Sequence, residues 1–177
     1  GSGLETIGNY AFYHCDKLNS VEISGESLTS IGYRAFYYCQ ALKSVSLTGN
    51  GLVLGEDVFY DCDVLESVEI GTGVKTIGYE AFSNCSSVKT VSISDDVETI
   101  SNYAFNGCPI VNLTLGEGIK TIGYYAFYSA KFESLVIPDS VQTIENSAFS
   151  HNSVLKTVSI GSGCKTIGNY AFSNCTA

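Results

Sequence analysis

The chain has 177 residues, 45% of them apolar, and its 18 acidic against 9 basic side chains give a formal net charge of −9. This charge argues against nucleic acid and anionic membrane surfaces as partners, because both repel acidic proteins. Membrane insertion is not expected either, since no stretch approaches the roughly 20 consecutive apolar residues of a membrane-spanning helix.

A phenylalanine recurs along the whole chain at intervals of 22–24 residues. The positions are Phe12, Phe36, Phe59, Phe82, Phe105, Phe127, Phe149 and Phe172. A fixed period of this length indicates that each unit packs against its neighbours and has no core of its own. The function is therefore expected on a long repeated surface and not in a catalytic pocket.

Aligned on the phenylalanine, one unit reads L/V-x-x-I-G-x-x-A-F-x-x-C-x-x-L-x-x-V-x-I. Its last two apolar residues are two apart, as on a strand with one buried face. Its alanine, phenylalanine and cysteine lie one and then three apart, as in a single helical or 3₁₀ turn. We therefore predict coils made of a strand, a short second strand near Thr76-Ile77 and a helical turn, joined by corners.

The longer strands should stack as one parallel ladder of seven, forming a right-handed solenoid of about 7.5 repeats with no central pocket. They are predicted at Val21–Ile23, Val45–Leu47, Val68–Ile70, Val91–Ile93, Leu113–Leu115, Leu135–Ile137 and Val158–Ile160. The fifth and sixth units are one residue shorter, after Cys108 and Ala130.

Glycine follows the short strand in six units, and asparagine comes next in four. We expect the glycine at a corner where a Cβ is awkward, without a strict need for positive φ, because Ser101 and Glu145 replace it in two units. The asparagine oxygen is predicted to cap the helical turn. The residues are Gly8, Gly32, Gly55, Gly78, Gly123, Gly168, Asn9, Asn102, Asn146 and Asn169.

Six of the seven cysteines share one slot, three residues after the phenylalanine, and Cys164 stands elsewhere in its repeat. A metal site and a disulfide framework are the functional alternatives. Equivalent side chains in adjacent coils stay about 4.8 Å apart, whereas disulfide Cβ atoms lie about 3.8 Å apart. We therefore predict a column of buried free thiols, with no metal and no cofactor. The slot holds Cys15, Cys39, Cys62, Cys85, Cys108 and Cys175.

These residues resemble the BspA-like leucine-rich repeats, also called the Treponema pallidum type, over essentially the whole chain. Val136-Ile137-Pro138-Asp139-Ser140-Val141 also matches the I-P-x-x-V segment of that family. The resemblance implies a leucine-rich-repeat solenoid in a secreted or cell-surface protein. It implies no catalytic motif, and a protein or glycan on a host or microbial surface as partner.

Residues 1–3 resemble a cloning scar, and residues 4–177 are expected to form a single solenoid. Both ends fall within a repeat, so we expect a fragment of a longer multi-modular protein whose signal and anchor lie outside this sequence. Uncapped ends leave two states open, a monomer and an end-to-end dimer.

The outward positions of the long strands are small and rich in hydroxyls, and they form the first candidate binding surface. They are Ser20, Glu22, Ser44, Ser46, Ser67, Glu69, Thr90, Ser92, Asn112, Thr114, Ser134, Thr157 and Ser159. The apolar Val136 belongs to the same series and stands between Ser134 and Thr157. The alternative is that such residues simply suit a solvated strand. A stacked tyrosine edge is the second candidate, represented by Tyr33, Tyr79, Tyr103 and Tyr124, with simple ring packing as its alternative.

Other functions have less support in the sequence. Glu56, Asp57, Asp61, Asp63, Glu66 and Glu69 form an acidic cluster that suggests either a Ca²⁺ site or a solvated edge, and its spacing is not that of an EF-hand. His14 and His151 lack a serine or cysteine at motif spacing, so an enzyme is not expected. Glu22 and Val136 interrupt the regularity that recognition of an ice lattice would need. The remaining hypotheses are a binding module and a rigid spacer that presents other modules.

Overall fold

The computed structural model describes residues 3–177, and Gly1 and Ser2 of the predicted cloning scar lie outside the described residues. The chain winds into a parallel-strand solenoid of about seven turns, as the repeat predicts. None of residues 3–177 belongs to a helix long and apolar enough to cross a membrane.

Odd-numbered and even-numbered strands alternate along the chain, and in most coils the even-numbered strand is the longer of the two. In chain order the strands are β1 (Thr6–Ile7), β2 (Ser20–Ile23), β3 (Ser30–Ile31), β4 (Ser44–Leu47), β5 (Leu52–Leu54), β6 (Ser67–Ile70), β7 (Val74–Ile77), β8 (Thr90–Ile93), β9 (Thr99–Ile100), β10 (Asn112–Thr114), β11 (Thr121–Ile122), β12 (Ser134–Ile137), β13 (Thr143–Ile144), β14 (Thr157–Ile160) and β15 (Thr166–Ile167). The odd strands form one continuous eight-stranded parallel sheet.

The even strands form two sheets, one of five strands from β2 to β10 and one that pairs β12 with β14. The predicted unbroken ladder of seven is therefore wrong at the step between β10 and β12. At the preceding step, into the equally shortened fifth unit, the N–H groups of Val111 and Asn112 both donate to the Lys89 oxygen, at 2.9 Å. In the shortened sixth unit, the Lys131 N–H donates to the Ile110 oxygen at 2.7 Å instead. The hydrogen-bond pattern therefore changes at the step where the two even-strand sheets separate.

The core is a narrow column that runs along the stack. In β4, β6, β8 and β12, every second side chain is buried, as the period of two predicts. The eight phenylalanine rings lie in nearly parallel planes, with centroids of successive rings 4.7–5.4 Å apart. Phe105 in the middle is fully buried, whereas Phe12 in the first unit is 40% exposed.

The predicted helical turn is not formed. In the fourth unit, the Ala81 N–H donates to the Gly78 oxygen within the turn, but the Phe82 N–H donates to the Ala104 oxygen of the next coil. Because alternate N–H groups point to the next coil, a continuous helical hydrogen-bond ladder cannot form. Each unit instead turns the chain with left-handed residues, such as Glu80 with φ of 50°.

Contacts with the neighbouring coil explain why glycine and asparagine occupy the corners. A Cβ on Gly78 would collide with the carbonyl oxygens of Leu54 and Gly55, so the close approach of the backbones excludes a side chain there, as expected. The predicted capping by asparagine is wrong. The Asn102 Oδ1 accepts a hydrogen bond from the Tyr124 N–H of the next coil, at 3.0 Å, and so joins two coils.

Candidate binding surfaces

The outward side chains of the even strands form two rows in register. Ser44 of β4 lies opposite Ser67 of β6, and Ser46 lies opposite Glu69. All the predicted positions in these two rows are exposed to solvent except Ser46. Ser46 is half-buried, and its hydroxyl donates to Glu69 Oε2 at 3.0 Å. This surface, which we call the strand face, is therefore polar and carries few apolar side chains.

The break in the even strands divides the strand face into two parts. Rows on β2 to β10 continue through Thr90 and Asn112 in register, and those on β12 and β14 begin again at Ser134 and Thr157. Val136 on β12 is 69% exposed and so places an isolated apolar side chain next to the break. A ligand that follows the rows thus meets five regular strands before a discontinuity.

Three of the four predicted edge tyrosines contact one another. Tyr79, Tyr103 and Tyr124 form an edge-to-face series, with ring centroids 5.7 and 5.3 Å apart. Tyr33 does not join them, because its ring packs against Tyr10 at 5.3 Å and under the Arg34 guanidinium at 4.7 Å. The edge is therefore two separate aromatic groups.

Neighbouring side chains raise the pKa of Tyr124 and Tyr79 at this edge. The Tyr125 hydroxyl, followed by partial desolvation, raises the pKa of Tyr124 to about 12. Glu80 is the largest cause that raises the pKa of Tyr79 to about 12. These phenols therefore remain neutral hydrogen-bonding groups throughout the physiological pH range.

A cleft that the sequence did not predict lies beside this edge. It has a volume of about 420 Å³ and is lined by Tyr103, Asn106, Tyr124, Tyr125, Tyr128 and His151. These residues come from the turns of the fifth, sixth and seventh units, which the solenoid stacks side by side. The signal in the sequence was the combination of Tyr124-Tyr125 with the small Asn106 and Gly107 one unit earlier.

A column of threonines on the odd strands was also missed. Thr76, Thr99, Thr121, Thr143 and Thr166 stand opposite one another on consecutive strands. The first four are half-buried, so this column is less accessible than the strand face. The recurring Thr-Ile pair before the corner was its signal.

The acidic cluster does not converge on one point. Asp57 is buried and accepts a hydrogen bond from the Arg34 Nε at 2.9 Å, while Glu69 accepts one from Ser46. Among residues 3–177, no group of three or more histidine, cysteine or acidic side chains is placed to hold a metal ion.

All seven cysteines are free thiols, as predicted. Cys39, Cys62, Cys85 and Cys108 are buried, and the other three are half-buried. The two histidines lie near aromatic rings: His14 beside Tyr38, with ring centroids 4.5 Å apart, and His151 beside Tyr128 at 4.8 Å.

The protein-family model of the BspA type leucine rich repeat region matches residues 5–131 and 75–177, with six copies of the repeat. Among solved structures, a leucine rich cell surface protein from Faecalibacterium prausnitzii is similar, with 26% identity and a TM-score of 0.70 over 88% of this chain. A leucine-rich repeat protein from Eubacterium ventriosum has 22% identity and a TM-score of 0.72 over 100% of this chain. The T. pallidum leucine rich repeat protein has 22% identity and a TM-score of 0.64 over 98% of it.

This chain spans 42% of the F. prausnitzii and E. ventriosum chains and 71% of the T. pallidum chain. None of the curated proteins matches it. Stacked coils with a phenylalanine column and one exposed face of parallel strands define a leucine-rich-repeat solenoid. The chain belongs to the BspA-type leucine-rich-repeat family.

Proposed function

We propose that this solenoid is a non-catalytic binding module of a secreted or cell-surface protein, and that it recognises a protein or glycan through its extended repeat surface. The observation that carries the proposal is the pair of exposed polar rows, which keep register over five strands from β2 to β10. A partner that crosses several coils makes the same kind of contact on each.

The chemistry of the strand face indicates how such a partner would be held. Its serine and threonine hydroxyls both donate and accept hydrogen bonds. It lacks the large aromatic and arginine side chains that dominate hot spots in protein interfaces. Affinity for one short epitope is therefore expected to be modest, with binding strengthened when many contacts or several modules engage together. The similarity to the cell surface protein of F. prausnitzii supports an extracellular location.

A surface-plasmon panel of host matrix proteins, mucins and plant polysaccharides tests this proposal. The informative variant combines Ser92→Arg and Thr114→Arg, because the two residues are exposed and lie opposite each other on adjacent strands. Thr72→Arg with Gln142→Arg is the control, since both residues are exposed, lie off the long strands and add the same charge. We expect saturable binding that the first variant loses and the control keeps.

A second function, a rigid spacer, is favoured by the continuity of the odd-strand sheet over all eight strands. Unbroken pairing and a shared core make neighbouring coils move together. The spacer hypothesis expects no binding across the panel from a folded monomer, together with indifference to the strand-face arginines. That result would favour the spacer over the binding module.

An end-to-end dimer through exposed Val158, Ile160 and Ile167 is a separate hypothesis. Sedimentation of the protein as a monomer would exclude it.

A further inference from the structure

The cleft between the fifth and seventh units has aromatic walls set at steep angles. The Tyr124 and Tyr125 rings meet at 71° with centroids 4.2 Å apart, and Tyr125 and Tyr128 meet at 70° and 5.1 Å. The His151 ring lies 4.8 Å from Tyr128, tilted by 45°. Tyr103 stacks on one face of Tyr125, with ring centroids 5.5 Å apart, but the steep angles of the other pairs leave the rings around Tyr128 only partly covered, so that they line an open concavity.

The tyrosines of the first three units are arranged differently. Tyr13, Tyr37 and Tyr60 occupy the same slot as Tyr128, and their rings are stacked with interplanar angles of 15° and 2°. In such a stack each ring covers the face of its neighbour. The first units thus show what this slot does when every coil places an aromatic ring there.

Small neighbours account for the cleft. Asn106 and Ser150 occupy the Tyr128 slot in the coils on either side, and Gly107 leaves the next slot of the fifth unit without a side chain. The Tyr128 ring therefore has no aromatic partner in its own slot. The space of about 420 Å³ lies within the roughly 300–1,000 Å³ usual for small-ligand sites.

The lining selects a class of ligand. No acidic side chain, lysine or arginine lines the cleft, and the whole chain carries a net charge of −9, so an anion finds no counter-charge. The aromatic faces, with their negative quadrupole, attract the slightly positive C–H groups of a flat aliphatic ring. The hydroxyl, amide and imidazole groups around them suit a ring that also carries neutral hydroxyl groups.

Two polar side chains at the rim are held in place and keep an atom for a ligand. Asn106 donates from Nδ2 to Ser83 Oγ at 3.3 Å, which leaves its Oδ1 as an acceptor. The His151 Nε2 is 3.2 Å from Asn174 Nδ2, which leaves its Nδ1. Prior anchoring reduces the entropy that such groups lose when a ligand binds.

We propose that this cleft binds a neutral hexose unit of a glycan, with the ring against Tyr125 and Tyr128 and its hydroxyls paired with Asn106, His151 and Tyr124. The site rests on the proposed binding function and gives it a ligand class and a location away from the strand face. Among residues 3–177, the turn slots combine two tyrosines with small neighbours only in these units, so the cleft is a single site there.

Calorimetric titration with cellohexaose, mannohexaose and maltohexaose tests the site. Tyr128→Ser is the main variant, because serine already occupies this slot at Ser83, Ser150 and Ser173 and should not disturb folding. His151→Asn follows the same reasoning, since Asn84 and Asn174 stand in its slot with similar positive φ. Tyr37→Ser is the matched control, because it removes an equivalent ring from the stacked group.

At least one oligosaccharide should bind the native protein, and Tyr128→Ser should weaken that binding about tenfold, the scale of one lost aromatic contact. His151→Asn should weaken it less, and Tyr37→Ser should leave it unchanged. Circular dichroism melting confirms that each variant is folded. Absence of binding to all three hexasaccharides, or equal binding by Tyr128→Ser and the native protein, overturns the site.

The strand-face variant separates this inference from the proposed function. If the Ser92→Arg, Thr114→Arg protein loses a partner from the panel while Tyr128→Ser keeps it and no hexasaccharide binds, the binding module stands and the cleft proposal fails. If hexasaccharides bind and respond to Tyr128→Ser but not to the strand-face arginines, the cleft site is supported independently of the strand face.

Discussion

The thiol of Cys85 donates a hydrogen bond to the carbonyl oxygen of Phe59 in the preceding coil, with Sγ and O 3.1 Å apart. The same contact recurs from Cys62 to Phe36 at 3.4 Å and from Cys108 to Phe82 at 3.0 Å. The cysteine slot therefore joins adjacent coils as well as filling space between them. This explains why a small apolar residue with a weak donor suits the slot better than alanine or valine.

Buried thiols should react slowly in the native protein. Burial is the largest cause that raises the pKa of Cys85 well above its ordinary value, so almost no thiolate forms at neutral pH. With a disulfide reagent at neutral pH, we expect Cys39, Cys62, Cys85 and Cys108 to stay unreacted while half-buried thiols react. All seven should react after denaturation.

Cys164→Val provides the control for this experiment, because Val74, Val97 and Val141 fill the same slot in other units. It should remove one rapidly reacting thiol and leave the slow ones unchanged. Rapid native reaction of all seven thiols, or fewer than seven in the denatured protein, would contradict the free-thiol column.

Phe105→Ala should destabilise the protein by about 3–5 kcal/mol, the usual cost of deleting a buried phenylalanine. The ring is fully buried and stacks on Phe82 and Phe127, with centroids 5.0 and 5.4 Å away. Urea unfolding followed by circular dichroism measures the loss. Phe12→Ala should cost clearly less, because Phe12 is 40% exposed and has a stacked neighbour on one side. A loss below roughly 1 kcal/mol at Phe105 would contradict a continuous core.

The repeat period was enough to predict the pairing of most strands. Aligning the units on phenylalanine places Val68 beside Val91, and the strands pair in that register. The outward positions of the strand face follow from the same alignment, because side chains alternate along a strand. Which residues face solvent was therefore predictable from the sequence.

Three-dimensional details that depend on one residue were not predictable in this way. Spacings of one and three residues do not distinguish a helical turn from linked turns with left-handed residues. Asparagine tolerates positive φ, as at Asn84, but Glu80 gives no sign of its positive φ. The break between β10 and β12 could not be read from an alignment, because the fifth unit has the same one-residue shortening and its strand β10 still pairs with β8. The cleft beside Tyr128 depends on which side chains its neighbours lack.

A glutamate between two lysines should make stability depend on acidic pH. Glu98 Oε2 lies 2.6 Å from Lys120 Nζ, and Oε1 lies 3.7 Å from Lys75 Nζ. The Lys120 ammonium, followed by Lys75, lowers the pKa of Glu98 below its ordinary value. A carboxyl whose pKa is lower in the folded state stabilises folding above its unfolded pKa, and this contribution disappears as pH falls through the folded value.

Glu98→Gln should therefore be less stable than the native protein at about pH 7, and this difference should be smaller at about pH 3, where protonation of Glu98 is favoured. The difference is expected to be small, since these side chains are exposed and water screens the pairs. Urea midpoints at both pH values measure it. Glu117→Gln removes an exposed carboxylate outside this ion-pair network and should show no such convergence. A Glu98→Gln difference that is the same at both pH values would contradict the electrostatic origin.

Asn152 occupies the cysteine slot of the seventh unit, so replacing it by cysteine tests what that slot requires. It is the seventh unit's residue at that position, is fully buried, and donates from Nδ2 to the oxygens of Phe127 at 3.2 Å and Phe149 at 2.6 Å. Its Oδ1 is buried without a hydrogen-bond partner among the described residues. A buried acceptor without a donor costs about 1–3 kcal/mol.

Asn152→Cys loses the hydrogen bond to the Phe149 oxygen, which keeps the Cys175 thiol as a donor at 3.5 Å. It should still stabilise the protein by about 1 kcal/mol, since a thiol can donate to the Phe127 oxygen and the buried acceptor without a partner is gone. Asn152→Ala is the comparison, because Ala130 fills this slot one unit earlier without any donor. Unfolding in urea under reducing conditions should rank cysteine above alanine. If Asn152→Cys is less stable than the native protein, Oδ1 has a partner such as a buried water, and the slot in this unit is adapted to asparagine.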